Sequence, residues 1–291
     1  MDQRIKKLAD LLVNYSCDLQ EGEKILISYE GDCCRPLVKQ LVKNTYARGG
    51  KPYVEISDSE ITREILLGCD EEQISFMNKY KLAQMEGMSA YIAVRAETTR
   101  RSCRTCRKAA EHVQPPHQTC SGQARQRNEM GSPQISQPLH GSAGGSSLER
   151  FEDFYFDVCT LDYGKMSKAM DSLVALMEKT DKVEIKGPGT DLTFSIKGIP
   201  AIKCDGKCNI PDGEVYTAPV RESMNGIISY NTPSEEQGFT FENIVFEIKD
   251  GRIVKATSND DTRINQLLDT DEGAGTSANS PSVSTRTSWN L

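Results

Sequence analysis

Glu214 follows a short turn motif and stands where a strand is predicted to begin. Pro211, Asp212 and Gly213 precede it: the proline presets φ, the aspartate can bond nearby backbone, and the glycine supplies a positive φ. The segment 215–217, Val-Tyr-Thr, favours a β-strand. A carboxylate at the start of a strand has the rigid support that metal ligands and general bases need. Taken alone, these residues favour a solvated turn acid, so the interpretation of Glu214 depends on the rest of the chain.

The composition is that of an acidic chain with room for one large or two medium domains. Its 291 residues are enough for a real core. A net charge of −7 and a pI near 5.2 argue against binding to nucleic acid or membrane surfaces. The segment 1–7 predicts the start of an amphipathic helix, not an export signal, and no apolar run approaches a membrane span. The ten cysteines, irregularly spaced, indicate reduced thiols, so we expect a cytoplasmic protein.

The first 96 residues alternate between helical and strand patterns. Helices are predicted over about 3–17, 37–49, 59–67 and 70–86, with Ser59 as a cap of the third. Strands are predicted over 24–29, 52–56 and 89–94. Such alternation implies βαβ units around a mostly parallel sheet. Residues 1–96 are therefore predicted to be an α/β domain.

The pattern resumes near residue 146 and then becomes rich in strands. Two helices, from about 146 and over 162–179, place 146–181 as a helical continuation of the first domain. Strands are predicted over 182–186, 192–196, 226–230, 243–249 and 252–256, and a short helix over 259–268. Asp250-Gly251 is a hairpin signal. The predicted fold class is α/β: an N-terminal βαβ half, then a β-rich α+β second domain, incomplete at its C-terminal end.

The segment 97–145 differs in composition from the rest of the chain. It has no aromatic ring of Phe, Tyr or Trp, and it carries seven Arg and Lys against three Glu. All three histidines, His112, His117 and His140, fall inside it. Two of them follow Cys103 and Cys106, a pattern that resembles zinc ligands. We regard a zinc site there as the weaker interpretation, because the segment has few apolar residues that could pack around a metal.

The surroundings of Glu214 resemble the aminopeptidase T family of two-metal aminopeptidases. The resemblance covers 1–96 and 146–274 and is carried by four stretches: Thr190-Asp-Leu-Thr193, Asn209-Ile-Pro-Asp-Gly-Glu-Val-Tyr-Thr-Ala-Pro219, Glu235-Glu-Gln-Gly238 and Leu268-Asp-Thr-Asp-Glu-Gly-Ala274. It implies that Glu214 is a metal ligand and that residues 182–274 are the first part of the catalytic domain. The acids Glu235, Glu236, Asp271 and Glu272 are interpreted as solvated or supporting groups, not ligands.

The resemblance also implies a chemistry and a partner. Two divalent ions, zinc, cobalt or manganese, would share a bridging water and polarise the peptide carbonyl near a free N-terminus. Peptides would be the substrates, and the intact family would form homodimers. The family's further ligands, a glutamate soon after Asp-Glu-Gly-Ala, histidines, a tyrosine and an aspartate, have no counterpart here. A lone carboxylate does not hold a catalytic metal pair. We therefore expect the metals not to be retained and this chain to have little or no aminopeptidase activity.

Two segments, 97–145 and 275–291, are compatible with translation in a shifted reading frame. The segment 133–143 admits codons that, with one base dropped, spell Leu-Arg-Tyr-Pro-Ser-Pro-Ser-Met-Ala-Gln, which resembles the family before the helix at about 151. The tail 275–291 is nearly half Ser and Thr. It admits codons that, in a shifted frame, encode a sequence containing Tyr-Ile-Gly-Glu-Phe. We expect the first frame to be restored near Gly144 and the second shift to end the chain early.

The alternative hypothesis is a non-catalytic α/β protein that binds a partner or a small ligand. In it, 97–145 is a genuine basic, disordered arm whose composition suits nucleic acid or an acidic partner.

Overall fold

The computed structural model describes residues 2–95, 148–236 and 238–269, which pack as two compact units. Within the described residues, the first unit is Met1–Gly164 with Asp205–Asp212, and the second is Lys165–Cys204 with Gly213–Leu291. The segments 97–145 and 275–291 lie outside the described residues, and the predicted domain boundaries stay predictions. Of the described helices, none is long and apolar enough to cross a membrane.

The first unit is built on a parallel sheet, which confirms the predicted α/β fold class. In the described residues this sheet has three strands in the order β2-β1-β3. The strands are β1 (Lys24–Glu30), β2 (Lys51–Ser57) and β3 (Ala90–Arg95). The helices of this unit are α1 (Gln3–Leu11), α2 (Arg35–Ala47), α3 (Ser59–Gly68), α4 (Glu71–Glu86) and α5 (Leu148–Cys159). A π-helix, Leu12–Ser16, continues α1, and a 3-10 helix, Asp32–Cys34, precedes α2.

The core of the first unit contains buried side chains of α1, α2 and the central strand β1. Ile25 and Ile27 of β1 are fully buried, as the middle strand of a parallel sheet requires. Leu8 and Leu12, one helical turn apart, and Leu37 of α2 are fully buried as well. The helical spacing of these leucines therefore gives the apolar face that the sequence predicts.

The start of α3 corrects one sequence prediction. Ser59 is the first residue of the helix, and its cap is Asp58. The Asp58 carboxylate accepts hydrogen bonds from the backbone N–H groups of Glu60 and Ile61, at 2.9 and 3.0 Å. An aspartate is the better cap, because its negative charge also lies against the positive end of the helix dipole.

The second unit carries an antiparallel sheet and two small ribbons. Helix α6 (Tyr163–Lys179) leads into it, and α7 (Asp261–Leu268) is the last described helix. The large sheet has the order β12-β11-β8-β5-β4 in the described residues, with strands β4 (Lys182–Gly187), β5 (Thr190–Ser195), β8 (Asn225–Ser229), β11 (Val245–Lys249) and β12 (Arg252–Thr257). The ribbons pair β6 (Ile202–Cys204) with β7 (Glu214–Tyr216) and β9 (Ser234–Glu236) with β10 (Phe239–Phe241). A 3-10 helix, Arg221–Ser223, precedes β8.

One face of the large sheet forms the core of the second unit. Its buried side chains alternate along the strands, as in Leu192 and Phe194 of β5 and Phe246 and Ile248 of β11. Helix α7 adds Ile264 and Leu268 to the same cluster. The alternation explains why these strands were predicted. Strands β6, β9 and β10 have three residues each, too few for a period of two to show in the sequence.

Gly226 of β8 lies directly opposite Leu192 of β5. Its φ is +126°, and a Cβ placed on it would lie 2.1 Å from the carbonyl oxygen of Asp191. Replacing Gly226 with alanine must therefore push two paired strands apart. We expect Gly226→Ala to lower the free energy of unfolding by about 3 kcal/mol or more, measured by urea denaturation.

Gly198→Ala is the matched control for this prediction. Gly198 also has a positive φ, +76°, but nothing lies within 4 Å of its Cβ position. This variant isolates the cost of the backbone conformation, about 1 to 2 kcal/mol. Equal losses in the two variants would contradict a steric role for Gly226.

Candidate functional site

Glu214 is the first residue of β7, in the short ribbon that β7 forms with β6. The strands are antiparallel, and Glu214 lies directly opposite Cys204, while Tyr216 lies opposite Ile202. Val215, between Glu214 and Tyr216, is 3% exposed. Because neighbouring side chains of a strand point to opposite faces, Glu214 and Tyr216 share the face away from Val215. The structure thus confirms that Glu214 begins a strand.

The face of the ribbon that carries Val215 is held on helix α6. Lys203, the partner of Val215 on β6, donates from Nζ to the Asp171 carboxylate at 2.6 Å. The same ammonium lies 3.2 Å from the Ser167 hydroxyl and 3.3 Å from its carbonyl oxygen. Asp171 is largely exposed, so this ion pair adds little stability and serves mainly to fix the position of β6.

The opposite face of the ribbon is open and mixes apolar and ligand-type side chains. Ile202 and Tyr216 are 42% and 39% exposed. Glu214 and Cys204 are each partly buried beside them. A carboxylate in this position can offer its oxygens to a hard cation.

The loop between β6 and β7 is held by its own hydrogen bonds. Asp212 accepts the backbone N–H of Gly206 on Oδ2 at 2.9 Å. Asn209 donates from Nδ2 to the carbonyl oxygen of Pro211 at 3.2 Å, and the Ile210 side chain is fully buried. Gly213 has a φ of +147°, which confirms the prediction that this position needs a glycine. The aspartate of the motif therefore bonds to a residue six positions earlier in the chain, whereas the sequence predicted a local turn.

Tyr163 fixes this loop within the first unit. Its side chain is fully buried, and its hydroxyl donates to the carbonyl oxygen of Val158 at 3.0 Å. The same oxygen accepts the backbone N–H of Asp212 at 3.1 Å. Burial raises the pKa of Tyr163 to about 12, although the hydrogen bond from Asp212 opposes this shift. Gly206 packs so closely on the ring that a Cβ there would lie 2.7 Å from it.

Two residues of the π-helix after α1 hold the loop from the other side. Tyr15 donates from its hydroxyl to the carbonyl oxygen of Asp205 at 2.9 Å. Ser16, which is buried, donates to the carbonyl oxygen of Gly206 at 2.6 Å. The sequence analysis did not identify Tyr15, Ser16 or Tyr163 as partners of this loop, because each lies far from residue 205 in the chain. No local pattern signals such a long-range hydrogen bond.

The described residues do not supply a complete set of metal ligands. Within 2–95, 148–236 and 238–269, no group of three His, Cys, Asp or Glu side chains is placed to hold a metal ion. Glu235 and Glu236 lie in β9, in the other ribbon, and are not brought together with Glu214 as ligands. Asp271, Glu272, the three histidines and the Cys103 pattern lie outside the described residues. A metal site therefore does not fit the described residues by themselves.

Comparison with known proteins decides the family. The family model described as thermophilic metalloprotease (M29) matches residues 1–276, which include Glu214 and its motif. The chain belongs to the thermophilic metalloprotease (M29) family. This confirms the resemblance to aminopeptidase T and places the chain among the peptidases, a class of hydrolases. It does not favour the alternative of a non-catalytic binding protein.

Individual relatives of this M29 family member agree with the assignment. Aminopeptidase PepS of Streptococcus thermophilus is 26% identical, over 91% of this chain and 73% of the relative. Aminopeptidase T of Thermus thermophilus is 23% identical, over 94% and 75%. The solved structure of wild-type AmpT from Thermus thermophilus has a TM-score of 0.73 at 22% identity, covering 94% of this chain and 76% of that chain. This last likeness shows that the fold is shared.

Removing the hydroxyl of Tyr163 tests its role in holding the loop. Tyr163→Phe removes the hydrogen bonds that the hydroxyl makes with the carbonyl oxygen of Val158 and the N–H of Asp212. We expect a loss of about 1 to 3 kcal/mol in the free energy of unfolding. Tyr46→Phe, at a tyrosine that is 65% exposed, is the matched control and should change the free energy by no more than about 0.5 kcal/mol.

The pH dependence of stability in the wild-type chain and in Tyr163→Phe gives an independent readout. The folded-state pKa of Tyr163 is raised to about 12. The contribution of its neutral hydroxyl to the free energy of unfolding is therefore fully present below the pKa of an unfolded tyrosine, near 10. That contribution is lost as the pH rises from about 10 towards 12. The stability gap between the wild-type chain and Tyr163→Phe should narrow over this range. A gap that stays constant would contradict the buried, neutral hydroxyl.

Proposed function

We propose that this protein has the fold and part of the active site of a metal-dependent aminopeptidase, an enzyme that releases N-terminal residues from peptides. Membership of the metalloprotease family supports metal-dependent peptide hydrolysis. The relatives that carry the name aminopeptidase support action at the N-terminus. The observation in this chain that carries the proposal is Glu214, a partly buried carboxylate at the start of β7. Peptides are then the substrates, and the homodimer and the cytoplasmic location implied by the resemblance stay predictions.

Glu214 is proposed as a ligand of a divalent ion, zinc, cobalt or manganese. When bound, such an ion would supply an activated water and polarise the substrate carbonyl. The contribution of this chain is to hold one carboxylate on a strand whose opposite face is fixed by Val215 and Lys203. A catalytic zinc usually has three protein ligands, and the described residues supply one. No step of the reaction is therefore derived from them.

The polypeptide of these 291 residues is proposed to have little or no activity. The remaining ligand types that the resemblance implies include histidines, and the histidines of the sequence are His112, His117 and His140. All three fall in 97–145, the segment proposed to be translated out of frame. All three come before the Asp-Glu-Gly-Ala motif, whereas the resemblance implies histidines that come after it.

The frame proposal is tested on the gene. We expect resequencing to find a displaced base near residue 97, its compensation near residue 144, and another displaced base near residue 275. The change in composition over 97–145 and 275–291 supports the proposal. A gene sequence without a displaced base at these junctions would contradict the frame proposal.

The role of Glu214 is tested in a chain expressed with both frames restored. Glu214→Gln keeps the size of the side chain and removes the charge that a metal ligand provides. We expect the restored chain to release N-terminal residues from short peptides when Zn²⁺, Co²⁺ or Mn²⁺ is added, and the variant to lose about 100-fold or more. The loss should be accompanied by weaker metal binding, measured by equilibrium dialysis.

Glu242→Gln is the matched control, at an exposed glutamate of the same unit. It should leave both activity and metal binding unchanged. Full metal-stimulated activity of Glu214→Gln would contradict the assignment of Glu214. Full activity of the unrestored 291-residue polypeptide would contradict the proposal that this polypeptide is inactive.

A further inference from the structure

A polar cleft lies at the tip of the hairpin that β11 and β12 form in the second unit. Its volume is about 660 Å³. It is lined by Arg221, Glu222, Lys249, Asp250, Gly251, Arg252 and Val254. Arg221 and Glu222 come from the 3-10 helix before β8, and the others come from the hairpin. The cleft therefore joins two segments that are about 30 residues apart in the chain.

The hairpin places two positive charges directly opposite each other. Lys249 and Arg252 are cross-strand partners beside the turn, so their side chains lie on the same face. Val254, two residues after Arg252, lines the same cleft, whereas Ile248 and Ile253 face the core. Like charges in directly opposite positions of an antiparallel pair destabilise it. A local arrangement that costs stability is expected mainly where it serves a function.

The backbone holds Arg221 next to this pair. Gly251 donates its N–H to the carbonyl oxygen of Met224 at 2.9 Å, and a Cβ on Gly251 would lie only 1.7 Å from the carbonyl oxygen of Arg221. Asp250 donates its N–H to Oδ1 of Asn225 at 2.9 Å. Asp250 and Gly251 have φ values of +48° and +74°, as a type I′ turn requires. The three cations therefore stand on backbone that is fixed by close packing.

These cations are not neutralised by partners in the described part of the chain. None of Arg221, Lys249 and Arg252 makes an ion pair with a described acid within 4 Å. Glu222 and Asp250 also line the cleft, so three positive and two negative side chains leave one excess positive charge. That local excess occurs in a chain whose net charge is −7. An anion in the cleft would relieve the repulsion between Lys249 and Arg252.

We propose that this cleft binds a small oxyanion with two or more negative charges, either a phosphate or a polycarboxylate. The guanidinium groups of Arg221 and Arg252 can each present two N–H donors to a pair of oxygens. The ammonium group of Lys249 supplies a third positive charge. The positive excess lies on exposed side chains, so binding weakens as salt screens it. This site is formed by residues that have no role in the proposed peptidase function, and it does not rest on that function.

The test is a titration of the 291-residue chain with inorganic phosphate at low, constant ionic strength. Isothermal calorimetry gives the dissociation constant, and NMR of the uniformly ¹⁵N-labelled chain follows the amide of Gly251. We expect saturable binding, with the largest shift changes at 249–252 and near Arg221. Arg221→Glu and Arg252→Glu should each weaken binding about tenfold or more, because each removes a charge-assisted contact and adds a repulsive one.

Lys168→Glu is the charge-matched control, since Lys168 is an exposed residue of the same unit that does not line the cleft. It makes the same change in net charge and should leave the dissociation constant within about twofold. Circular dichroism verifies that each variant is folded, and Arg252→Gln replaces Arg252→Glu if the reversal disturbs the hairpin. Absence of saturable binding, or an equal loss in Lys168→Glu, would overturn the proposal.

A second arm distinguishes the source of the oxyanion. Citrate is titrated under the same conditions, with acetate as the monovalent comparison. Tighter binding of phosphate than citrate assigns the site to phosphate groups, and the reverse order assigns it to polycarboxylates. Acetate that binds as tightly as both would overturn the requirement for two or more negative charges.

Discussion

The pairing of β6 with β7 on helix α6 is the constraint on which the candidate site depends. Val215 is buried on one side of β7, and the ammonium of Lys203 reaches Asp171 and Ser167 of α6 from the adjacent strand. The alternation of a strand then leaves Glu214 and Tyr216 on the open side. A ribbon with three residues per strand has few hydrogen bonds of its own, so its position is set by these contacts with the helix. The carboxylate gains the fixed position that a metal ligand needs from the packing of its neighbours.

The connection between these two strands is held by a different set of interactions. Residues Asp205–Asp212 belong to the first unit, where the hydroxyls of Tyr15, Ser16 and Tyr163 bond to the backbone of the loop. The Pro-Asp-Gly motif is thus tied to this network through the carboxylate and the backbone N–H of Asp212. This arrangement gives a physical reason for the proline, the aspartate and the glycine before Glu214, since each fixes the backbone at a different point.

The sequence predicts those parts of the fold whose signals are local. The parallel sheet follows from alternating helices and strands, and the Asp250-Gly251 turn follows from its need for two positive φ values. The strand that starts at Glu214 also follows from local residue types. The hydrogen bond from the N–H of Asp212 to the Tyr163 hydroxyl could not be predicted, because a contact between such distant residues leaves no pattern in either segment. The proposed role of Glu214 as a metal ligand comes from the resemblance and not from its local sequence.

Glu214 and the oxyanion cleft illustrate two ways in which a charged residue becomes a candidate for function. Glu214 is a single carboxylate whose importance rests on family membership and on a fixed position. The cleft rests on Lys249 and Arg252, two like charges held opposite each other at a local cost. The first needs further ligands to become a metal centre, whereas the second needs an anion to balance it.

Anomalous diffraction from crystals of the frame-restored chain grown with Zn²⁺ tests the role of Glu214 most directly. A data set at the zinc absorption edge locates each bound ion independently of the protein coordinates. The account predicts an anomalous peak about 2.0 to 2.2 Å from a carboxylate oxygen of Glu214, and no such peak in Glu214→Gln crystals. Zinc bound elsewhere in the same unit, with Glu214 outside coordinating distance of every ion, would contradict it.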